Sequence, residues 1–159
     1  NLQEALGMPE SVLARIEEFL GQKRLAVIGV SRKSHAFSRG LVHELRRRGY
    51  EVALVNPQAA EIAGVPCHSR VQDVPTAVEA ALIMTPPQTT AQLVRDCAEA
   101  GLARIWLHGK SATDEALSIC RAHGIEPIVG QCPYMFLPDA EWIHRFHRSV
   151  NQLVGKYPK

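Results

Sequence analysis

Residues 25–40 of the chain read LAVIGVSRKSHAFSRG, an apolar run that ends in a glycine and continues as a basic, hydroxyl-rich segment. The apolar run predicts a buried strand that breaks at Gly29, after which the chain re-enters as a helix. Such a passage directs backbone N–H groups and a helix N-terminus into one crevice, which attracts phosphate. Arg32, Lys33 and Arg39 add positive charge to the same loop. We therefore expect a polyanion site after the first strand.

The same loop argues against a standard NAD site. Only one glycine stands at Gly29 to Ser31, whereas the G-x-G-x-x-G pattern needs three to bring a dinucleotide pyrophosphate against bare backbone. An NAD site also needs an acidic residue near the end of the second strand, where this chain has Asn56. NADP fits better, because Arg32 and Lys33 could hold an extra phosphate, but the missing glycines still count against it.

The rest of the chain alternates strand and helix patterns. Four further apolar strands and three helices are expected; the strands fall at 51–55, 77–84, 103–107 and 126–129, and the helices at 38–49, 88–100 and 114–122. Right-handed crossovers then give a parallel sheet with helices on both faces. Residues 64–68 are expected to form a short excursion rather than a full element.

The length of 159 residues suits a single domain with its own core. We place that core at about 23–136, with flanking helices at about 9–20 and 140–154. Ser11 is a possible cap for the first of these helices. Trp142 and Phe146 lie on the last one, and their stripe is either packing or a surface for a second copy or a partner protein.

Charge and composition exclude several classes. Lys and Arg number 18 against 16 Asp and Glu, so the net charge of +2 lacks the basic excess of a nucleic-acid binder. The apolar stretches are too short to span a bilayer and no leader opens the chain, so we expect a cytoplasmic protein without a membrane partner. The four cysteines are widely spaced and are expected to be reduced thiols, and no metal site is predicted.

Ligands of open parallel sheets lie across the carboxyl ends of the strands. The unusual segments of this chain all fall at those ends, namely 29–38, 56–57, 85–87, 108–110 and 130–133. Each also has a plainer interpretation: the serines can cap a helix, the prolines can end a strand, and Cys132 can be a buried structural residue. Cys132 would be nucleophilic only if a nearby cation lowered its pKa.

Five segments together carry a family resemblance over most of the chain. They are KRLAVIGVSRK (23–33), GYEVALVNP (49–57), GVPCHS (64–69), IMTPP (83–87) and GQCP (130–133). In this order and spacing they resemble the small stand-alone CoA-binding proteins, which are similar to the CoA-binding domain of the succinyl-CoA synthetase alpha subunit.

The resemblance implies an α/β fold, a Rossmann-like three-layer sandwich with a mostly parallel sheet of five or six strands. It implies coenzyme A or an acyl-CoA as the ligand, with the Gly29 turn and Ser38 near the phosphates, Asn56 beside the ribose-phosphate end, and Thr85 near the adenine and pantetheine. The cofactor-binding residues expected from the loop and the resemblance together are Gly29, Val30, Ser31, Arg32, Lys33, Ser38, Arg39, Asn56, Pro57, Thr85, Pro86 and Pro87.

Catalysis does not carry over with the resemblance. The synthetase uses a phosphorylated histidine from another domain and a glutamate after the fourth strand, where this chain reads Leu107-His108-Gly109-Lys110. We assign no catalytic residue and expect a binding module. An NAD(P)-dependent oxidoreductase and a subunit-like interaction module are the alternatives.

Overall fold

The computed structural model describes residues 11–137. The chain divides into two units, residues 22–131 and a second unit whose described residues are 11–21 and 132–137. The helix expected at 140–154, with Trp142 and Phe146, lies outside the described residues. The organisation of the whole chain as a single domain stays a prediction.

Residues 22–131 contain one mostly parallel sheet. Its strands are β1 (Arg24–Ile28), β2 (Glu51–Val55), β3 (Glu61–Ile62), β4 (Val65–His68), β5 (Ala80–Ile83), β6 (Arg104–Leu107) and β7 (Ile128–Val129). They are arranged in the order β3-β4-β2-β1-β5-β6-β7, and every neighbouring pair is parallel except β3 with β4. The predicted α/β, Rossmann-like class is confirmed.

The sheet has seven strands where five or six were expected. The two additional strands, β3 and β4, lie in and just before the segment that was expected to be a short excursion. β4 pairs in parallel with β2, and β3 pairs antiparallel with β4. A turn with positive φ at Ala63 and Gly64 makes that reversal. The segment gives little strand signal because both strands are short and Pro66 cannot donate to a ladder.

Four α-helices lie in the described part of the chain. They are α1 (Val12–Gly21), α2 (Phe37–Arg47), α3 (Pro87–Glu99) and α4 (Asp114–Ala122), with 3₁₀ turns at Val71–Asp73, Gly109–Ser111 and Pro133–Phe136. Ser11 caps α1 as predicted, because its Oγ accepts the Ala14 N–H at 3.1 Å. None of the helices in this part of the chain is both long and apolar enough to cross a membrane.

Side chains from both faces of the sheet are buried. On one face the strands pack with α3 and α4 around a core that includes Ile28, Val55, Ile83, Leu107, Val94, Cys97, Ala116 and Cys120. Alternate strand residues such as Val27, Leu82 and Trp106 are also fully buried, as the period of two along a strand requires for the opposite face. α2, which buries Leu41 and Leu45, contacts β2.

The strand order places a crevice at the carboxyl end of β1. From β1 the chain moves to β2 on one side, and later returns to β5 and β6 on the other side. The loops that follow β1 and β5 therefore leave the sheet in different directions. Ligands of such sheets bind at this switch point.

Candidate functional site

Gly29 forms the turn at the switch point, where no other residue would fit. Its φ is +90°, and an added Cβ would lie 2.7 Å from the Met84 carbonyl oxygen and 2.8 Å from Cγ2 of Thr85. The surrounding backbone is tied together, because the Gly29 N–H donates to Val55 O at 3.3 Å and the Met84 N–H to Ile28 O at 2.9 Å. The loop therefore starts in close contact with the end of β5.

The serines of the loop fold it back on itself. The Ser31 N–H donates to Oγ of the buried Ser38 at 2.9 Å, and the Lys33 N–H donates to Ser31 Oγ at 3.1 Å. Neither serine caps α2. The N-cap residue of this helix is Ala36, and no side-chain hydrogen bond caps the helix. The plainer interpretation of these serines as helix caps is therefore wrong, and the first turn of α2 keeps its anion-attracting character.

Asn56 joins three segments at the end of β2. Its Nδ2 donates to Val30 O at 3.1 Å, its Oδ1 accepts the Gln58 N–H at 2.8 Å, and its backbone N–H donates to His68 O at 3.0 Å. The Asn-Pro pair is thus more than a strand terminator, because the asparagine amide holds the loop after β1 against the loop after β2.

An open cleft of about 480 Å³ lies between these two loops. It is lined by Ser31, Arg32, Lys33, Asn56 and Gln58. Both basic side chains are exposed, and none of the five residues is acidic. Four of the five were predicted; Gln58 was missed, although its place just after the Asn56-Pro57 turn could have indicated it.

Five residues predicted in and beside these loops do not line the cleft, namely Gly29, Val30, Ser38, Arg39 and Pro57. Arg39 Nη1 donates to the Arg32 carbonyl at 3.0 Å, so this guanidinium braces the loop. Pro57 is exposed at the turn after β2. Their contact with a ligand stays a prediction.

The Thr85-Pro86-Pro87 segment shapes the start of α3. Pro86 is the N-cap and Pro87 the first helical residue, a position that suits proline because no N–H is lost there. Thr85 Oγ1 lies 3.1 Å from Oγ1 of the fully buried Thr90, which also donates to Pro86 O at 3.3 Å. Of the three predicted residues, Thr85 is the one that contacts the Gly29 turn.

An aromatic pair lies at the carboxyl end of β6. The rings of Phe37, the first residue of α2, and His108 are stacked with centroids 4.8 Å apart and planes 5° apart. Desolvation lowers the pKa of His108, so the imidazole is neutral at pH 7. Phe37 was missed, because an isolated aromatic residue in a loop carries no pattern.

The thiols show no activation. Cys67, Cys97, Cys120 and Cys132 are free, and burial is the main cause that raises the pKa of each, to about 12 for Cys97. The conditional idea of a low-pKa thiolate at Cys132 is therefore wrong, since no cation outweighs the desolvation. Within residues 11–137, no group of three His, Cys, Asp or Glu side chains is placed to hold a metal ion.

A family model and a curated relative both match most of this chain. The family model described as a CoA binding domain matches residues 23–138. The alpha subunit of an ADP-forming acetate–CoA ligase II from Pyrococcus furiosus is 24% identical over 128 residues, which cover 74% of this chain but 28% of that protein. This chain therefore spans little more than a quarter of that relative.

Two solved structures have the same fold, and each match covers most of both chains. A conserved hypothetical protein from Pyrococcus furiosus is 27% identical with a TM-score of 0.64, and the match covers 69% of this chain and 94% of that one. A hypothetical protein from Pyrococcus horikoshii is 26% identical with a TM-score of 0.70, over 74% and 84% of the two chains. Because the family model spans well over half of the sequence, the chain belongs to the CoA-binding-domain family.

Proposed function

We propose that this chain binds coenzyme A or an acyl-CoA, with the phosphates in the cleft between the loops that follow β1 and β2. The observation that carries the proposal is the convergence of Arg32, Lys33 and three polar side chains on one cleft without acidic residues. The cleft adjoins the single-glycine turn, in a chain that belongs to the CoA-binding-domain family.

The chemistry of the ligand matches this surface. Coenzyme A carries a pyrophosphate and a 3′-phosphate, which together form a dense polyanion. Arg32 and Lys33 can form charge-assisted hydrogen bonds to these phosphates, which are about twice as strong as neutral ones. The Gln58 amide offers a further polar contact at the same cleft. The proposed role is binding, with no catalytic residue.

NADP is the competing ligand, because its 2′-phosphate would also suit two basic side chains. Two features favour coenzyme A. The turn has a single glycine, and both ends of the Asn56 amide are already bonded, the nitrogen to Val30 O and the oxygen to the Gln58 N–H. An NAD(P) site would need a carboxylate or a free polar group there for the ribose.

Isothermal titration of the purified chain with CoA, dephospho-CoA and NADP tests the proposal. We expect CoA to bind about tenfold more tightly than dephospho-CoA, the value of one charge-assisted contact of about 1.5 kcal/mol. We expect NADP to bind more weakly than CoA. Equal affinities for CoA and dephospho-CoA would contradict the role proposed for the basic residues. Tighter binding of NADP than of CoA would show that NADP, not CoA, is the ligand.

A further inference from the structure

The Phe37–His108 stack is the part of the crevice that the phosphate-binding proposal does not use. Its location differs from that of the basic cleft: the cleft follows β1 and β2, whereas His108 follows β6. Phe37 brings the start of α2 across to that side, and 42% of its surface is exposed. Among the large apolar residues in the part of the chain that the structure describes, Phe37 is the most exposed, ahead of Val129 at 37%.

The pair is held firmly. The His108 N–H donates to Ile83 O at 3.0 Å, and the His108 carbonyl accepts the Ser111 hydroxyl at 2.7 Å. Ser111 is fully buried, and its hydroxyl also lies 3.0 Å from Ile83 O. The backbone of His108 is thereby tied to the end of β5, and Phe37 is fixed by the first turn of α2. A surface that is rigid before the ligand arrives costs little ordering on binding.

The two ends of the crevice differ in chemistry. One end is cationic and amide-lined, and the other is a flat ring pair whose imidazole is uncharged at pH 7. Strands β2, β1, β5 and β6 are consecutive, so the two ends are separated by roughly 14 Å at the usual spacing of neighbouring strands. A ligand that uses both ends must be elongated, with phosphates at one end and an uncharged group at the other.

We infer that the Phe37–His108 pair holds the uncharged, thiol-bearing arm of coenzyme A and selects among its thioesters, an inference that rests on the function proposed above. The arm consists of amides and methylenes, which pack well on an aromatic face and gain nothing from the basic cleft. The acyl group at its end would then meet the ring pair, so these two residues determine specificity rather than catalysis.

The test compares two ligands on the purified chain: CoA, which has the arm, and 3′,5′-ADP, which keeps the adenosine, the 3′-phosphate and one 5′-phosphate but lacks the arm and the second 5′-phosphate. Phe37→Ala should weaken CoA about five- to tenfold, the value of one aromatic contact, and change 3′,5′-ADP less than about twofold. The CoA affinities of the Phe37→Leu and His108→Gln variants should fall between those of wild type and Phe37→Ala. The matched control is His123→Gln, because His123 is an exposed histidine at the end of α4. This variant should change neither affinity.

The outcomes separate cleanly. Loss confined to CoA, with a changed ratio of acetyl-CoA to CoA affinity, supports the inference. Equal losses of affinity for CoA and 3′,5′-ADP would overturn it, because the pair would then contact the nucleotide or stabilise the fold. Unchanged affinities would overturn it as well. If wild type bound 3′,5′-ADP but gained nothing from the arm, this inference would fail and the phosphate cleft would stand; if wild type bound neither ligand, both proposals would fall.

Discussion

Two single residues determine the shape of the crevice. Gly29 is required twice, by its positive φ and by the Met84 backbone that leaves no room for a Cβ. Asn56 holds the two loops together through Nδ2, which donates to Val30 O, while its Oδ1 accepts the Gln58 N–H and fixes its own loop. Neither role depends on a ligand, so the cleft is formed before binding.

Substitution of Gly29 by alanine should destabilise the protein by about 3 kcal/mol, because the methyl group adds a clash to an unfavourable φ. Gly101→Ala is the matched control: its φ is +80°, but nothing lies within 4 Å of the added Cβ. It should cost about 1 kcal/mol, and urea unfolding of both variants measures the difference. Equal losses would show that the contact with Met84 contributes nothing.

Arg32→Ala and Lys33→Ala should each weaken CoA binding by about 1.5 kcal/mol, the lower end for charged hydrogen bonds, because both side chains are exposed. The losses should shrink for dephospho-CoA and with added salt. Titration calorimetry gives the affinities, with Arg46→Ala, an exposed arginine in the last turn of α2, as the control. A loss as large for Arg46→Ala would mean that net charge, not the cleft, attracts the ligand.

At the scale of elements, the two ends of α2 serve different purposes. Its first turn lacks a side-chain cap and opens on the crevice, whereas its last turn carries an ion-pair cluster. Glu44 Oε1 lies 2.8 Å from Arg47 Nη2 and 2.7 Å from Arg48 Nε. The Arg47 hydrogen bond is the main cause that lowers the pKa of Glu44 to about 2, with Arg48 contributing. The cations also complement the C-terminal end of the helix dipole.

This cluster predicts acid sensitivity. The unfolded chain protonates Glu44 near its ordinary pKa of 4.5, the folded chain only near 2, so the stabilisation is complete above 4.5 and is lost as the pH falls from 4.5 to 2. Glu44→Gln should be less stable than wild type at pH 7 and should lose less stability over that interval. Thermal unfolding as a function of pH measures this, and parallel curves for the two proteins would contradict it.

At the scale of the molecule, the site is assembled from segments far apart in the chain. The turn at Gly29, the Asn56 loop, Thr85 and His108 meet because four parallel strands end at one edge of the sheet. Beneath them, α3 and α4 cover one face with a core that contains Cys97 and Cys120.

These two thiols should report opening of the core. Both are fully buried with raised pKa values, so at pH 7.5 iodoacetamide should leave Cys97 and Cys120 unmodified in the native protein and alkylate them in urea. The half-buried Cys67 serves as the internal comparison and should react first. Peptide mass spectrometry follows each residue, and rapid native alkylation of Cys97 would show that the core opens locally.

Much of this architecture could be predicted from the amino-acid pattern. The ranges of β2 and α4 were predicted correctly, and the single-glycine loop, the Asn56 turn and the basic pair were identified, because hydrophobic period, glycine and proline act locally. The strands β3 and β4 were not predicted, since two short segments with a proline gain their pairing from β2 rather than from their own residues.

Neighbouring residues thus determine the local structure, that is, where strands, turns and helices form. They also determine the sign of the charge in each loop. Which side chains face one another follows from packing across the sheet. Asn56 meets Val30, and Phe37 meets His108 across 71 residues of chain, because the switch in strand order brings those loops to one crevice. Contacts between distant segments depend on the complete sheet, and no local pattern encodes them.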